Sequence, residues 1–446
     1  MADYIHLFET QADFISAVTN DYHEPWVSYT METSAVSFNG PEIPQHDYSQ
    51  DYLTFNIISG GAIVFSCDNA SYAKTIQYSK NDGEWTNMTS TVDEVISTAI
   101  TVSGLSGIFI YGGYDDDKNA YFWENNGTKL YNAQARCVIE YIVYDDEYNE
   151  YSVLTVQNQF VDGTKIDVVG GDTIKFRGDN LEYNNNTFGD SSAVFTIEGN
   201  IMSLIDDTGF TTATTLASGS TFGNLFIYCT GLTSAENLVL PATTLVDNCY
   251  QAMFQNCTSL TTAPELPATT LADNCYKFMF LGCTSLTSAP ALPATTLAGN
   301  CYSSMFRGCT SLTTAPELPA TTLAQYCYSY MFSNCTSLTT APELPATTLA
   351  ENCYNSMFQR CTSLTTAPVL PATTLASYCY STMFQNCTNL NYIKCLATDV
   401  SASYCTRYWV LGVQTASGTF VKNSSMTSWT RGTSGIPTNW TVQDAS

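Results

Sequence analysis

Two columns of cysteines and two acidic clusters are the residues whose types and spacing could do chemistry. Cys249, Cys275, Cys301, Cys327, Cys353, Cys379 and Cys405 recur every 26 residues, and Cys257, Cys283, Cys309, Cys335, Cys361 and Cys387 recur with the same period. Thiols can cross-link, bind zinc or simply fill a core. Cys275 and Cys283 are eight residues apart, which on a helix is about 12 Å at ~1.5 Å per residue, beyond the ~7 Å Cα limit of a disulfide. No CxxC occurs, so the spacing of a zinc site is missing. The remaining role is structural: Cys257, Cys283, Cys309, Cys335, Cys361 and Cys387 are expected to be small buried hydrophobes, reduced as in a protein made in a cytoplasm.

The acidic clusters are Asp115-Asp116-Asp117 and Asp145-Asp146-Glu147. Adjacent loop carboxylates can supply the six to eight oxygens that calcium takes, so Asp115, Asp116, Asp117, Asp145 and Asp146 are the metal candidates and calcium the only ion to consider. No D-x-D-x-D-G loop is present, and a solvated acidic loop is the commoner outcome. For catalysis the inventory is thin. The three histidines, His6, His23 and His46, all lie in the first 50 residues, and no GxSxG, HExxH, phosphate-binding or dinucleotide fingerprint occurs. Glu265, Glu317 and Glu343 recur at equivalent positions, as a surface column would, rather than as the carboxylate pair of a glycosidase. The expectation is no enzyme, no catalytic residue and no required cofactor. Arg177-Gly178-Asp179 spells an integrin-type tripeptide, but Phe176 before it suggests the end of a strand.

Composition narrows the partners. The 446 residues carry 41 acids and 15 bases, a net charge of −26. Residues 1–228 hold 32 acids and 8 bases, residues 229–446 only 9 and 7. Such a chain repels phosphate, so neither nucleic acid nor an anionic membrane surface is an expected partner. No run of 18 apolar residues suggests membrane insertion, and the start, MADYIHLFETQADF, has no secretory pattern.

The elements that must position these residues follow from the 26-residue period, the signature of a solenoid. One unit, Cys257 to Gly282, reads CTSLTTAPELPATTLADNCYKFMFLG. Leu260, Ala263 and Leu266, closed by Pro267, suit a short strand. Leu271, Cys275, Met279 and Cys283, with Phe280, recur every four residues and predict a short amphipathic helix. Residues 229–409 are then repeats, 201–228 an N-terminal cap and 410–446 a C-terminal cap with Trp429 and Trp440. Residues 51–200 read as a β-sandwich-like module, with an insertion or second module at 93–158. Its strand signals include Leu53, Phe55 and Ile57, then Ala62–Phe65, 165–168, 173–176 and 194–197, with Asn81-Asp82-Gly83 as a hairpin turn. Residues 1–50 read as an anchoring arm. The fold class is mixed: all-β module or modules, then a leucine-rich-repeat solenoid of 26-residue units.

The copies also differ informatively. SLTTAPELPATTLA is nearly invariant, whereas Lys277-Phe278, Ser329-Tyr330 and their equivalents vary. Thr261-Thr262, Thr313-Thr314, Thr339-Thr340 and Thr365-Thr366 would ladder along the strand face. With Tyr330 they are the binding candidates, because hydroxyls and aromatic faces suit neutral glycans. The plainer reading is that threonine is a good solvent-facing strand residue.

The unit LPATTLADNCYKFMFLGCTSL resembles the Treponema-type leucine-rich repeat of the BspA-like family, over about 213–410, with Met279-Phe280 where that family often has Ala-Phe. That resemblance implies a surface adhesin or interaction scaffold. The stretches His23–Thr30, YLTFNIISGG and IKFRGDN followed by FTIEGNIMSLI resemble proteins of gut Bacteroidales and their tailed phages. In phages such chains look like virion fibre or capsid-decoration proteins. Together these imply a non-enzymatic virion surface protein, made in the host cytoplasm. It would bind other virion proteins through its N-terminal region and a host surface glycan or protein through the solenoid, as a homo-oligomer such as the trimer of a fibre. The alternatives are a bacterial cell-surface BspA-like adhesin and, behind it, a capsule polysaccharide depolymerase.

Overall fold

The computed structural model describes residues 46–67, 76–87, 98–100, 111–114, 120–123, 129–133, 137–139, 154–158, 161–179, 183, 187–413, 417–427 and 429–445. The chain divides into Met1–Asp47 and Tyr48–Ser446, and nearly all described residues belong to the second unit. Its strands in chain order are β1 (Leu53–Ser59), β2 (Gly61–Cys67), β3 (Ile76–Lys80), β4 (Thr86–Asn87), β5 (Thr98–Ile100), β6 (Tyr111–Tyr114), β7 (Ala120–Trp123), β8 (Lys129–Ala133), β9 (Cys137–Ile139), β10 (Leu154–Asn158), β11 (Val161–Val168), β12 (Thr173–Gly178), β13 (Val194–Asn200), β14 (Leu232–Val239), β15 (Tyr392–Cys395), β16 (Thr419–Lys422) and β17 (Thr441–Asp444). Two short 3₁₀ turns, Tyr48–Gln50 and Ile201–Leu204, complete the list, and no α-helix occurs among the described residues.

Six strands form one sheet in the order β14-β13-β1-β12-β3-β4, and β2 pairs with β11 in a separate antiparallel ladder. In β12 and β13 alternate residues point inward, so Ile174, Phe176, Phe195 and Ile197 are buried, as the period of a pleated strand requires. Phe55 on β1 sits among them, 4.8 Å from the Phe176 ring, 4.8 Å from Phe188 and 4.9 Å from Phe195. The turn after β3 holds Asn81 and Asp82 at φ 51° and 56°, the left-handed pair that hairpin turns favour. Beside it Asp172 accepts hydrogen bonds from the Asn81 amide and the Val169 N–H and pairs with Lys80 at 2.7 Å. The Lys80 ammonium, with those two donors, holds the Asp172 carboxyl down at about 2. Between residues 93 and 158 the described backbone forms two three-stranded ladders, β5-β10-β9 and β6-β7-β8.

The sheet leads directly into the repeats, because β13 and β14 run parallel and β14 belongs to the first repeat copies. Beyond it each copy lies on the next through parallel bridges 26 residues apart, such as Thr244 with Thr270, Thr296 with Thr322 and Thr314 with Thr340. Side chains stack with the same period. Phe254, Phe280, Phe306, Phe332, Phe358 and Phe384 form one column with ring centroids 5.5–5.8 Å apart, and Tyr250, Tyr276, Tyr302, Tyr328, Tyr354 and Tyr380 form a second at 5.7–6.1 Å. The Phe column continues through Phe226 to Phe188, which packs on Phe55 and Phe176 of the sheet, and both columns end on Trp409. Trp429 stacks on Trp409 at 5.7 Å, next to the parallel ladder β15-β16-β17.

The expected helix is not there. Residues 274–283 form successive turns in which Asn274, Phe278 and Gly282 adopt φ of 56°, 62° and 74°. Every second amide, from Asn274, Tyr276, Phe278, Phe280 and Gly282, donates to the following copy, at Gly299, Cys301, Ser303, Met305 and Arg307. The intervening amides, from Cys275 to Cys283, donate three residues back within the same copy. An α-helix would keep all its amides on its own ladder and could not tolerate a left-handed residue in every turn. The apolar recurrence of four is thus the period of these turns, not an approximation to 3.6.

Candidate binding faces

Each unit has a bridged run, residues 258–270 in one copy, and a turn run, 274–283. The bridged run holds the threonine candidates. Thr261, Thr313, Thr314, Thr339, Thr340, Thr365 and Thr366 are exposed, and Thr262 is half-buried. Because the copies are in register, these residues form columns whose steps are those of paired strands, ~4.8 Å. Part of their hydrogen-bonding capacity is spent inside the stack: the Thr261 hydroxyl donates to the Thr233 carbonyl at 2.9 Å, Thr339 to Thr313 at 3.2 Å, and the Thr262 and Ser234 hydroxyls lie 2.6 Å apart. Glu265, Glu317 and Glu343 are exposed on the same run, in one column.

Tyr330 does not join the threonine columns. It lies in the turn run at φ 57°, with the Arg307 guanidinium 5.4 Å from its ring centre. The reading from sequence missed its companions, Tyr228, Tyr326, Tyr404 and Tyr408, which are exposed at other left-handed positions of the turn runs. Their signal was available: within the varying residues of the copies, tyrosines replace Asn, Ser and Thr.

The cysteines are the interior counterpart. Fifteen, from Cys229 to Cys405, are free thiols and buried. In the second column each Sγ–H donates across a layer: Cys283 to the Phe254 carbonyl at 3.0 Å, Cys309 to Phe280 at 3.1 Å, with Cys257, Cys335, Cys361 and Cys387 doing the same. The Phe254 carbonyl also accepts the Cys257 N–H, so both of its lone pairs are used. A methyl group of similar size could fill the space but could not make that bond. Burial pushes these thiols up, Cys335 and Cys387 to about 12. They are inert packing groups with one polar duty, not nucleophiles. The buried tyrosines were also missed. Their Tyr250, Tyr276, Tyr302 and Tyr354 hydroxyls have no hydrogen-bond partner among the described residues.

Asp115, Asp116, Asp117, Asp145 and Asp146 lie outside the described residues, and among the described residues no group of three or more His, Cys, Asp or Glu side chains could hold a metal ion. Arg177 closes β12 and is engaged: it donates to Gln77 at 2.9 and 2.6 Å, pairs with Asp207 at 3.4 Å and covers the Trp85 ring at 4.1 Å. Gly178 is buried, so this tripeptide is not an accessible loop. No helix among the described residues is long and apolar enough to cross a membrane.

Comparison with known proteins bears on the stack alone. Residues 223–315 and 300–403 match the family described as the BspA type leucine rich repeat region, in six copies. The array is similar to BspA-type repeats. Nothing among the curated proteins matches the chain, and no solved structure matches it. BspA-type repeats are a repeat and adhesion type of domain, not typically enzymatic, and are typically surface-exposed.

Proposed function

We propose that this chain is a non-enzymatic, surface-displayed adhesion protein, a solenoid that presents its threonine columns to a glycan or protein on another cell. The observation that supports this most directly is the set of exposed hydroxyls repeated in register on a backbone hydrogen-bonded from copy to copy. Each hydroxyl contact is weak. Identical contacts at regular steps act together on a repeating ligand, because once one is made the others form at high effective concentration. A glycan whose hydroxyls alternate as donors and acceptors suits such a surface better than a charged polymer suits it.

The partner that displays the chain is proposed from the flanking sequences. Their resemblance to phage fibre and decoration proteins favours a virion, with residues 1–50 bound to other virion proteins and several copies assembled together. The BspA-type repeats fit equally a bacterial envelope. Immunogold labelling with an antibody against the array, on particles and cells from the source culture, separates the two: gold on capsid or tail supports the virion, gold on envelopes alone supports the bacterial adhesin.

Adhesion itself is tested by binding of the full chain to neutral cell-surface polysaccharides. Changing Thr313, Thr314, Thr339 and Thr340 together to valine keeps the β-branch and removes four hydroxyls, and is expected to weaken binding about tenfold, since net hydrogen bonds are each worth ~0.5–1.5 kcal/mol. Undiminished binding, or release of new reducing ends from the polysaccharide, would overturn the reading.

A further inference from the structure

We propose that the turn side of the array is a second binding surface, specific for acidic polysaccharides of the uronate type. It is independent of the threonine columns, since it uses other residues of each unit.

Charge segregates along the array. The eight ten-residue turn runs, 220–229, 248–257, 274–283, 300–309, 326–335, 352–361, 378–387 and 404–413, contain Lys277, Arg307, Arg360 and Arg407 and no aspartate or glutamate. These runs carry only positive side-chain charge in a chain of net charge −26. None of the four has an ion-pair partner among the described residues. The acids of the array lie elsewhere, at Glu236, Glu265, Glu317 and Glu343 on the bridged runs and at Asp247, Asp273, Glu351 and Asp399 before the turn runs.

The same runs carry the exposed aromatics. Tyr404 and Tyr408 are 56% and 43% exposed, although a tyrosine normally hides most of its ring. Arg407 lies between them, 5.1 Å from the Tyr404 ring centre and 5.2 Å from that of Tyr408, and Tyr378 packs on Tyr404 at 5.0 Å. Tyr404 and Tyr408 are held at φ 53° and 51°, where a bulky residue is strained. Equivalent positions in other copies hold Asn248, Asn274, Asn300 and Asn352, or Ser304, Ser356 and Thr382. Nothing in the fold therefore requires tyrosine there, and an exposed, strained tyrosine beside an unpaired arginine is where binding energy concentrates.

The chemistry selects the ligand. A guanidinium laid against aromatic faces keeps its N–H fork free to hold a carboxylate by two hydrogen bonds. Tyrosine faces take the apolar C–H face of a sugar ring. A uronic acid residue offers both groups on one ring. A polymer of them fits better than a monomer, because basic residues recur along the stack at Lys277, Arg307, Arg360 and Arg407. Nucleic acid is disfavoured by the large net negative charge of the rest of the chain.

The test uses the full chain and two forms of one polymer, polygalacturonate and its methyl ester, at an ionic strength of about 0.15 M, where charges farther than ~8 Å are screened. Binding to the free acid is expected to be at least about tenfold tighter than to the ester. Arg407→Gln is expected to weaken the free-acid complex about tenfold, as is the pair Tyr404→Asn with Tyr408→Ser. Those replacements are residue types the columns already accept, so the fold is preserved, and a circular-dichroism spectrum checks it. Lys394→Gln removes a positive charge on β15, outside the turn runs, and is expected to leave binding unchanged. Equal binding of acid and ester, absence of binding to the acid, unaltered binding by the Arg407 and tyrosine variants, or an equal loss with Lys394→Gln would each overturn the proposal. The threonine-to-valine test on neutral glycans reads the other surface, so the two proposals fail separately.

Discussion

At the scale of residues, the interior of the array is unusual for the polar atoms it buries. The thiols of the second cysteine column each have a carbonyl to bond, which explains a residue that is both small and a donor. Four members of the tyrosine column have no such provision: Tyr302 is 1% exposed, and its hydroxyl, like those of Tyr250, Tyr276 and Tyr354, has no partner among the described residues. An unpaired buried hydroxyl carries a desolvation cost of ~1–3 kcal/mol. Tyr302→Phe keeps the ring stack with Tyr276 and Tyr328, at 5.9 and 5.8 Å, and removes only the hydroxyl. It is expected to leave stability unchanged or raise it by about 1 kcal/mol in urea unfolding, and a loss of more than about 1 kcal/mol would show that the hydroxyl has a structural role.

At the scale of elements, the turn run replaces a helix by exchanging local hydrogen bonds for bonds to the next copy. Its left-handed residues are what the exchange costs, about 1–2 kcal/mol for each one that is not glycine. Asparagine at 248, 274, 300 and 352 lowers that cost, because its side chain tolerates the conformation. The copies are coupled sideways as well: a Cβ placed on Gly282, which has φ 74°, would stand 2.2 Å from the Asn256 Oδ1 of the preceding copy. Gly282→Ala is therefore expected to destabilise the array by about 1–3 kcal/mol. Asn256→Gly removes the clash but not the strain, so the double variant should recover part of the loss. A double-mutant cycle measures it, and strict additivity would show that the two copies do not meet there.

This level also separates what was legible beforehand. The strand signals at Leu53–Ile57, Ala62–Phe65 and 194–197 are strands, because alternation of apolar and polar residues is a local property of a half-buried sheet. The four-residue apolar recurrence at Leu271, Cys275, Met279 and Cys283 was visible too, but its backbone was not. Period four and period 3.6 cannot be distinguished over three turns, and the carbonyls that accept half the amides lie 25 residues away.

At the scale of the whole molecule, the aromatic columns join the N-terminal sheet, the stack and the C-terminal ladder into one hydrophobic cluster, from Phe55 to Trp440. Fifteen buried thiols lie within or against it, all pushed up by burial. A thiol that is harder to ionise in the folded state than in the unfolded one, where it titrates near ~8.5, leaves stability intact below that value and removes it as pH rises toward about 12. Each such group withdraws roughly 1 kcal/mol per pH unit in that window. Together they exceed a typical net stability of ~5–15 kcal/mol within about one unit. Circular dichroism against pH is expected to show sharp unfolding of the array between about pH 9 and 10.5, and an array still folded at pH 12 would contradict the burial of these thiols.

By itself the sequence determined the 26-residue period, the cysteine, methionine and phenylalanine packing positions of the repeats and the acidic character of the first half, since all of these are set by residue types at fixed spacing. Only the tertiary structure decided that the second run is a series of turns, that the cysteine thiols bond across layers, and that Tyr330 belongs with Arg307 rather than with the threonines. Those outcomes depend on hydrogen bonds and ring contacts between copies, and such partners become neighbours only when the chain has stacked on itself.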